Sequence, residues 1–171
     1  EIHDLHLAGG YLKQTAWNGR AVGAIIGMAV GVAGSEPIVI EGCSVKDFNI
    51  QSENGSAAFV AYSYSQSINI KDCYVVDSAF THTGTDATSN SGAFIAVMRG
   101  SAEYNSVVIE NSYYCGDVSP KFIEIDDEFG EITTFKNVYT TNEAYDGSVE
   151  GLTKLDDAQM KAKLAGFNYN Q

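Results

Sequence analysis

The stretch IVIEGCSVKDFNI at 38–50 returns thirty residues later as INIKDCYVVDSAF at 68–80, with the same order of an apolar-x-apolar triplet, a two-residue break and a cysteine. A third copy, VVIENSYYCGDVS, occupies 107–119, and a degraded fourth, ITTFKNVYTTNEA, occupies 132–144. Internal repetition at this period constrains architecture more than any single residue does, because one repeat cannot bury its apolar face alone and must stack on its neighbours. In register, Ile38, Ile68, Val107 and Ile132 form one inward column, and Ile40, Ile70, Ile109 and Thr134 another. Val39, Asn69, Val108 and Thr133 between them point the other way, as the two-residue period of a strand requires.

A second block precedes each triplet: AIIGM at 24–28, AFVAY at 58–62, AFIAV at 93–97 and KFIEI at 121–125. Two strand segments per repeat, with spacings between copies too uneven for a helical solenoid, fit β-coils of fixed core and variable loops. The sequence therefore predicts an all-β fold, a right-handed parallel β-helix of about four rungs over residues 1–150. A short C-terminal helix and tail at 151–171 cap or flank the same domain. Stacked coils about 4.8 Å apart place equivalent residues in ladders. Cys43, Cys73, Ser112 and Asn137 form one such ladder just after the turn, read as small buried side chains with reduced thiols. A Cys43 to Cys73 disulfide is the alternative, although parallel in-register Cβ vectors suit its dihedral poorly.

The segment GAIIGMAVGVAGSEPIVIEGCSVKDFNI at 23–50 resembles the GLUG-type repeat, a glycine-flanked apolar strand, a loop, and a strand ending in an Asn or Cys turn. The later blocks AAFVAYSYS and GAFIAVMRG lack the paired glycines. The ending GLTKLDDAQMKAKLAGFNYN at 151–170 resembles the segment that closes such arrays. Such repeats occur in bacterial cell-surface proteins, including the region before the protease domain of immunoglobulin A protease-like proteins. The resemblance covers about residues 20–145. It implies an extracellular or cell-surface module with no catalytic residues to carry over.

Taking Glu124 as solvent-facing sets a phase for the second block. It sends Ile26, Met28, Val60, Tyr62, Ile95, Val97, Ile123 and Ile125 inward, and Ile25, Phe59, Phe94 and Phe122 outward as an apolar ladder. A bare ladder of this kind needs a cover, expected to be the C-terminal segment or a partner. That segment reads as a helix, with Thr153 and Asp156 as a capping box, acids in its first turn, lysines near its end, and an apolar stripe of Leu155, Met160 and Leu164. On the triplet side, Ser44, Tyr74, Tyr113 and Val138 are expected to face out, placing two tyrosines on adjacent rungs. Such a pair either stabilises the sheet or offers a platform for a sugar face. The polar loop THTGTDATSNSG at 81–92, with His82 and Asp86, is the other candidate binding element.

With 10 Lys and Arg against 22 Asp and Glu, the formal charge of −12 repels nucleic acid and anionic lipid. No apolar run reaches the length of a membrane span, so membrane insertion is not expected. A first residue Glu1 with no signal region suggests a mature product or an excised domain. Three cysteines without a CxxC pair exclude a disulfide framework and a standard zinc site. The acids Asp126, Asp127 and Glu128, with Arg99 and Lys121, are the nearest approach to a lyase or glycosidase set, yet the run reads as a solvated turn. His3, His6 and His82 show no ligand spacing beyond that of His3 and His6, which sit near the terminus, and Cys115 has no evident base. No catalytic residue, metal or cofactor is expected. The function read from the sequence is a non-catalytic structural or adhesive module, with a glycan or protein of a host or cell surface, or flanking domains, as partners. The alternatives are a carbohydrate-active β-helix enzyme, of the polysaccharide lyase or glycoside hydrolase class, and a glycan-binding module.

Overall fold

A computed structural model describes residues 1–15, 21–32, 34–84, 90–100, 106–116, 121–125, 133–142 and 149–165, with backbone alone at His82, Asn90 and 121–125. Strands β1 (Ile2–His3), β2 (His6–Lys13), β3 (Val22–Gly23) and β4 (Ile26–Val30) open the chain. The order recurs as β5 (Ile38–Glu41), β6 (Ser44–Ser52), β7 (Gly55–Ala57) and β8 (Val60–Tyr64). It recurs again as β9 (Ile68–Lys71), β10 (Tyr74–Val76), β11 (Ala79–His82) and β12 (Asn90–Arg99), and then as β13 (Val107–Glu110), β14 (Tyr113–Cys115) and β15 (Lys121–Ile125). Strands β16 (Thr133–Lys136), β17 (Val138–Thr140) and β18 (Leu152–Lys154) precede the helix α1 (Asp157–Leu164).

Among the described residues the fold is all-β apart from α1, and the strands pair in parallel throughout three sheets. Sheet A has the order β1-β5-β9-β13-β16. Sheet B runs β11-β6-β10-β14-β17-β18 with β2 also on β6, and sheet C runs β3-β7-β12-β8-β4 with β15 on β12. In sheet A, Ile2 pairs with Ile40, Ile38 with Ile68, Ile68 with Val107 and Val107 with Thr133, which are offsets of 38, 30, 39 and 26 residues. Sheet B repeats those four offsets, with His6 on Ser44, Ser44 on Tyr74, Tyr74 on Tyr113 and Tyr113 on Tyr139. Sheets A and B thus advance together along the chain.

The corner between sheets A and B is a column of left-handed residues: Asp4, Gly42, Asp72, Asn111 and Asn137, with φ between 48° and 65°. Gly, Asn and Asp tolerate this region best, the last two because their short side chains hydrogen-bond locally. Here the Asn137 Nδ2 donates to Asn111 Oδ1 at 3.1 Å. The fourth copy is therefore aligned one residue away from the expected register. Asn137 stands with Asn111 at the corner rather than with Ser112, Thr133 rather than Ile132 pairs with Val107, and Phe135 rather than Thr134 pairs with Ile109. Ile132 itself lies outside the described residues.

One apolar cluster fills the interior. Ile40, Ile68, Ile70, Val107 and Ile109 from sheet A meet Val45, Val75 and Tyr114 from sheet B and Val60, Ile95 and Met98 from sheet C, all at most 1 % exposed. Burial of each such side chain contributes about 1.5–3 kcal/mol.

The expected outward phenylalanine ladder is corrected by this core. Phe59 and Phe94 belong to the interior cluster, are fully buried, and stack with centroids 5.1 Å apart at 17°. The alternation is interrupted at this level: β7 and β8 are separated at Ala58 and Phe59, and the pairing of the continuous β12 is irregular between Gly92 and Ile95, so Phe59 and Val60 are both inside, as are Phe94 and Ile95. A strict two-residue alternation forbids neighbouring residues from sharing a face. Ile25 is half-buried against the same core, and Met28, expected inside, is 43 % exposed. The side chains of Phe122 and Glu124, the residue that set the phase, lie outside the described residues.

Candidate functional site

The corner column sets the direction of the sheet B side chains that come after it. Immediately beyond each corner residue, Cys43, Cys73 and Ser112 turn inward and form a hydrogen-bonded ladder. The Leu5 N–H donates to Cys43 Sγ at 3.4 Å, the Cys43 N–H to Cys73 Sγ at 3.3 Å and the Cys73 N–H to Ser112 Oγ at 3.1 Å. Each thiol or hydroxyl donates in turn to the carbonyl two residues back, at Glu41 (3.3 Å), Lys71 (3.1 Å) and Glu110 (2.8 Å). In the three middle positions the column holds a small side chain that both accepts and donates, so Cys and Ser exchange there, while the apolar Leu5 and Val138 follow Asp4 and Asn137 at its two ends. All three cysteines are free. Burial pushes the Cys73 thiol up to about 12, and the Cys43 thiol beside it adds to the rise. A thiol held protonated in this way is a packing group, not a nucleophile.

One residue further on, the side chains face outward as Ser44, Tyr74, Tyr113 and Tyr139. The structure brings Tyr74 and Tyr113 together, with ring centroids 5.1 Å apart and an interplanar angle of 3°. Tyr139, not the expected Val138, is the next member, because of the same one-residue shift at Asn137. This column is also not an open platform: Tyr113 is 7 % and Tyr139 9 % exposed.

The cover is α1. Its N-cap is Asp156, whose Oδ1 accepts from the Gln159 N–H at 2.7 Å while the Asp156 N–H donates to Gln159 Oε1 at 2.9 Å. The capping box is thus Asp156 with Gln159, in place of the expected Thr153 with Asp156. Met160 is buried against Tyr113 and Tyr139, Leu155 and Leu164 pack at the edge, and the Lys163 ammonium sits 4.7 Å from the centroid of Tyr139. The helix expected over the phenylalanines covers the tyrosines instead. Between α1 and sheet B remains an open groove of about 610 Å³, floored by Val76 and Cys115 and rimmed by Lys46, Asp157 and Lys161. Burial first, then Asp77 and Asp157, pushes the Cys115 thiol up to about 11, so it too is neutral near pH 7.

The other sequence candidates do not join this site. The backbone of His82 pairs with Ser52 at the end of β11, and its side chain is not described. Asp86 and the acidic run of Asp126, Asp127 and Glu128 lie outside the described residues. His3 lies 3.3 Å from Glu1 and 3.7 Å from Glu41, whereas His6 meets Ser44 Oγ at 2.8 Å, so the two histidines serve different neighbours. Among the described residues no three His, Cys, Asp or Glu side chains converge on a metal-sized site, and no helix is long and apolar enough to cross a membrane.

Sequence reasoning missed Tyr139, Met160 and Lys163 as neighbours of the tyrosine pair. The corner residues carried the signal: aligning on Glu41-Gly42, Lys71-Asp72, Glu110-Asn111 and Lys136-Asn137 puts Tyr139 in the tyrosine column. No family model matches the chain, and no curated protein or solved structure matches it either.

Proposed function

We propose that the chain is a right-handed parallel β-helix that serves as a non-catalytic structural or adhesive module of a bacterial secreted or cell-surface protein. The observation that carries this reading is the shared set of offsets, 38, 30, 39 and 26 residues, in sheets A and B. Strands that advance together by one circuit per copy are what a solenoid of stacked coils produces, and parallel crossovers are almost always right-handed. The outward columns support the non-catalytic half. Across sheet A the residues His3, Glu41, Lys71, Glu110 and Lys136 alternate acid and base. Glycosidic hydrolysis instead requires two carboxyl groups set across a bond. The likeness of 23–50 to GLUG-type repeats is the ground for the surface location.

A second reading, a glycan-binding module, rests on the groove beside Tyr74 and Tyr113, where an aromatic wall meets the rim cations Lys46 and Lys161. Incubation with acidic and neutral polysaccharides tests both. The primary reading expects neither new reducing ends nor unsaturated products, and their appearance would overturn it. Retention on a glycan surface that is lost in both Tyr74→Ala and Tyr113→Ala would favour the second.

A further inference from the structure

We infer that the groove between α1 and sheet B selects an anionic glycan, a chain of uronic acid units whose carboxylates meet Lys46 and Lys161. This rests on the second reading above, that the groove holds a glycan, and adds the charge of that glycan. The groove encloses about 610 Å³, and every residue that lines it is among those described. Ligand sites span about 300–1,000 Å³ and join a large apolar surface to a few placed polar groups. Here Tyr74, Tyr113, Met160 and Leu164 supply the apolar surface, and the charged groups stand at the rim.

The charge of the occupant follows from the lysines. The chain has 10 Lys and Arg against 22 Asp and Glu, so a lysine has acids in excess to pair with. Lys71 does pair, at 3.4 Å from Glu41 and 3.8 Å from Asp72. Lys46 and Lys161 are both exposed and form no ion pair among the described residues, although Lys161 stands one helical turn from Asp157. They come from β6 and α1, and the docking of the helix brings them to one groove. Two ammonium groups left in this way are donors for a carboxylate. The overall charge of −12 repels a polyanion at a distance, so these cations act by contact, within the range where screening is weak. Asp157 on the same rim narrows the class further. A carboxylate accepts from hydroxyls and repels other carboxylates, so the ligand must present hydroxyls to Asp157 and acids to the lysines. A uronic acid carries both on one ring, with C–H groups for the aromatic wall.

Retention of the full chain on immobilised polygalacturonate and on its methyl ester, the same backbone without charge, tests this. The affinity for the acid form is expected to be about tenfold that for the ester, as two exposed ion pairs would give. Lys46→Gln and Lys161→Gln should each weaken binding to the acid form about threefold and leave binding to the ester unchanged. Lys136→Gln, which removes the same charge from sheet A, should change neither. Equal binding of the two forms, lysine variants without effect, or an equal loss in Lys136→Gln would each overturn the proposal. Equal binding that is lost in Tyr74→Ala would remove only the charge assignment and leave the glycan reading standing, whereas retention of neither form would overturn both.

Discussion

The finest consequences concern single side chains in the interior columns. Ile70 lies at the centre of the core, 1 % exposed, between Ile40 and Ile109 on the flanking strands. Its truncation, Ile70→Ala, should cost about 2–5 kcal/mol in chemical denaturation, because packed neighbours on both sides limit collapse into the space left. Cys73 makes a prediction in pH. Its thiol is raised from 9.0 to about 12, so the folded state holds the proton more tightly than the unfolded chain. Stability from this group is fully present below pH 9 and is lost as pH rises towards 12, at about 1.4 kcal/mol per unit. Cys73→Ser should reduce the alkaline slope above pH 9, and an unchanged slope would mean that the thiol is not buried. At this scale the sequence was readable where the two-residue period held, as in Ile38 to Ile40 and Ile68 to Ile70. It misled at Phe59 and Phe94, because the alternation is interrupted there and two consecutive residues lie inside.

Among elements, two kinds of residue set how strands align. The left-handed corner fixes where each strand of sheet A ends, and the alternating ladder of His3, Glu41, Lys71, Glu110 and Lys136 favours one neighbour order. The Lys71 ammonium lies 3.4 Å from Glu41 and 3.8 Å from Asp72, and its hydrogen bond and charge contact with Glu41 raise its pKa. Reversing that charge, Lys71→Glu, puts three acids in a row. The melting temperature should fall at low ionic strength, and the deficit should shrink at about 1 M salt, where screening acts within about 3 Å. A deficit independent of salt would assign the effect to packing instead. The same corner would have corrected the fourth copy, since Lys136-Asn137 matches Glu110-Asn111. Ile132 draws the alignment one residue away because it offers an apolar match to Val107 in sequence. The helix was legible as a helix from its acids, lysines and stripe, but not its destination. Leu155, Met160 and Leu164 fit any apolar face, and only the three-dimensional placement of Tyr113 and Tyr139 decides which one they meet.

For the molecule as a whole, the central claim is a stack of coils that rises steadily along one axis, as opposed to a sheet that closes back on itself. The two differ most between the first and last strands of sheet A. Four strand spacings separate His3 of β1 from Lys136 of β16, which at about 4.8 Å each gives a backbone separation of about 19 Å. Spin labels at His3→Cys and Lys136→Cys, with the native thiols replaced by Ser, measure this directly by dipolar broadening, and the pair His3→Cys with Lys71→Cys gives the two-spacing reference. Stacked coils predict that the label separation grows from about 10 Å for the reference pair to about 19 Å for the outer pair, within the reach of the label arms. An outer pair as close as the reference pair, or closer, would mean that the sheet curls shut and would contradict the stacked-coil architecture.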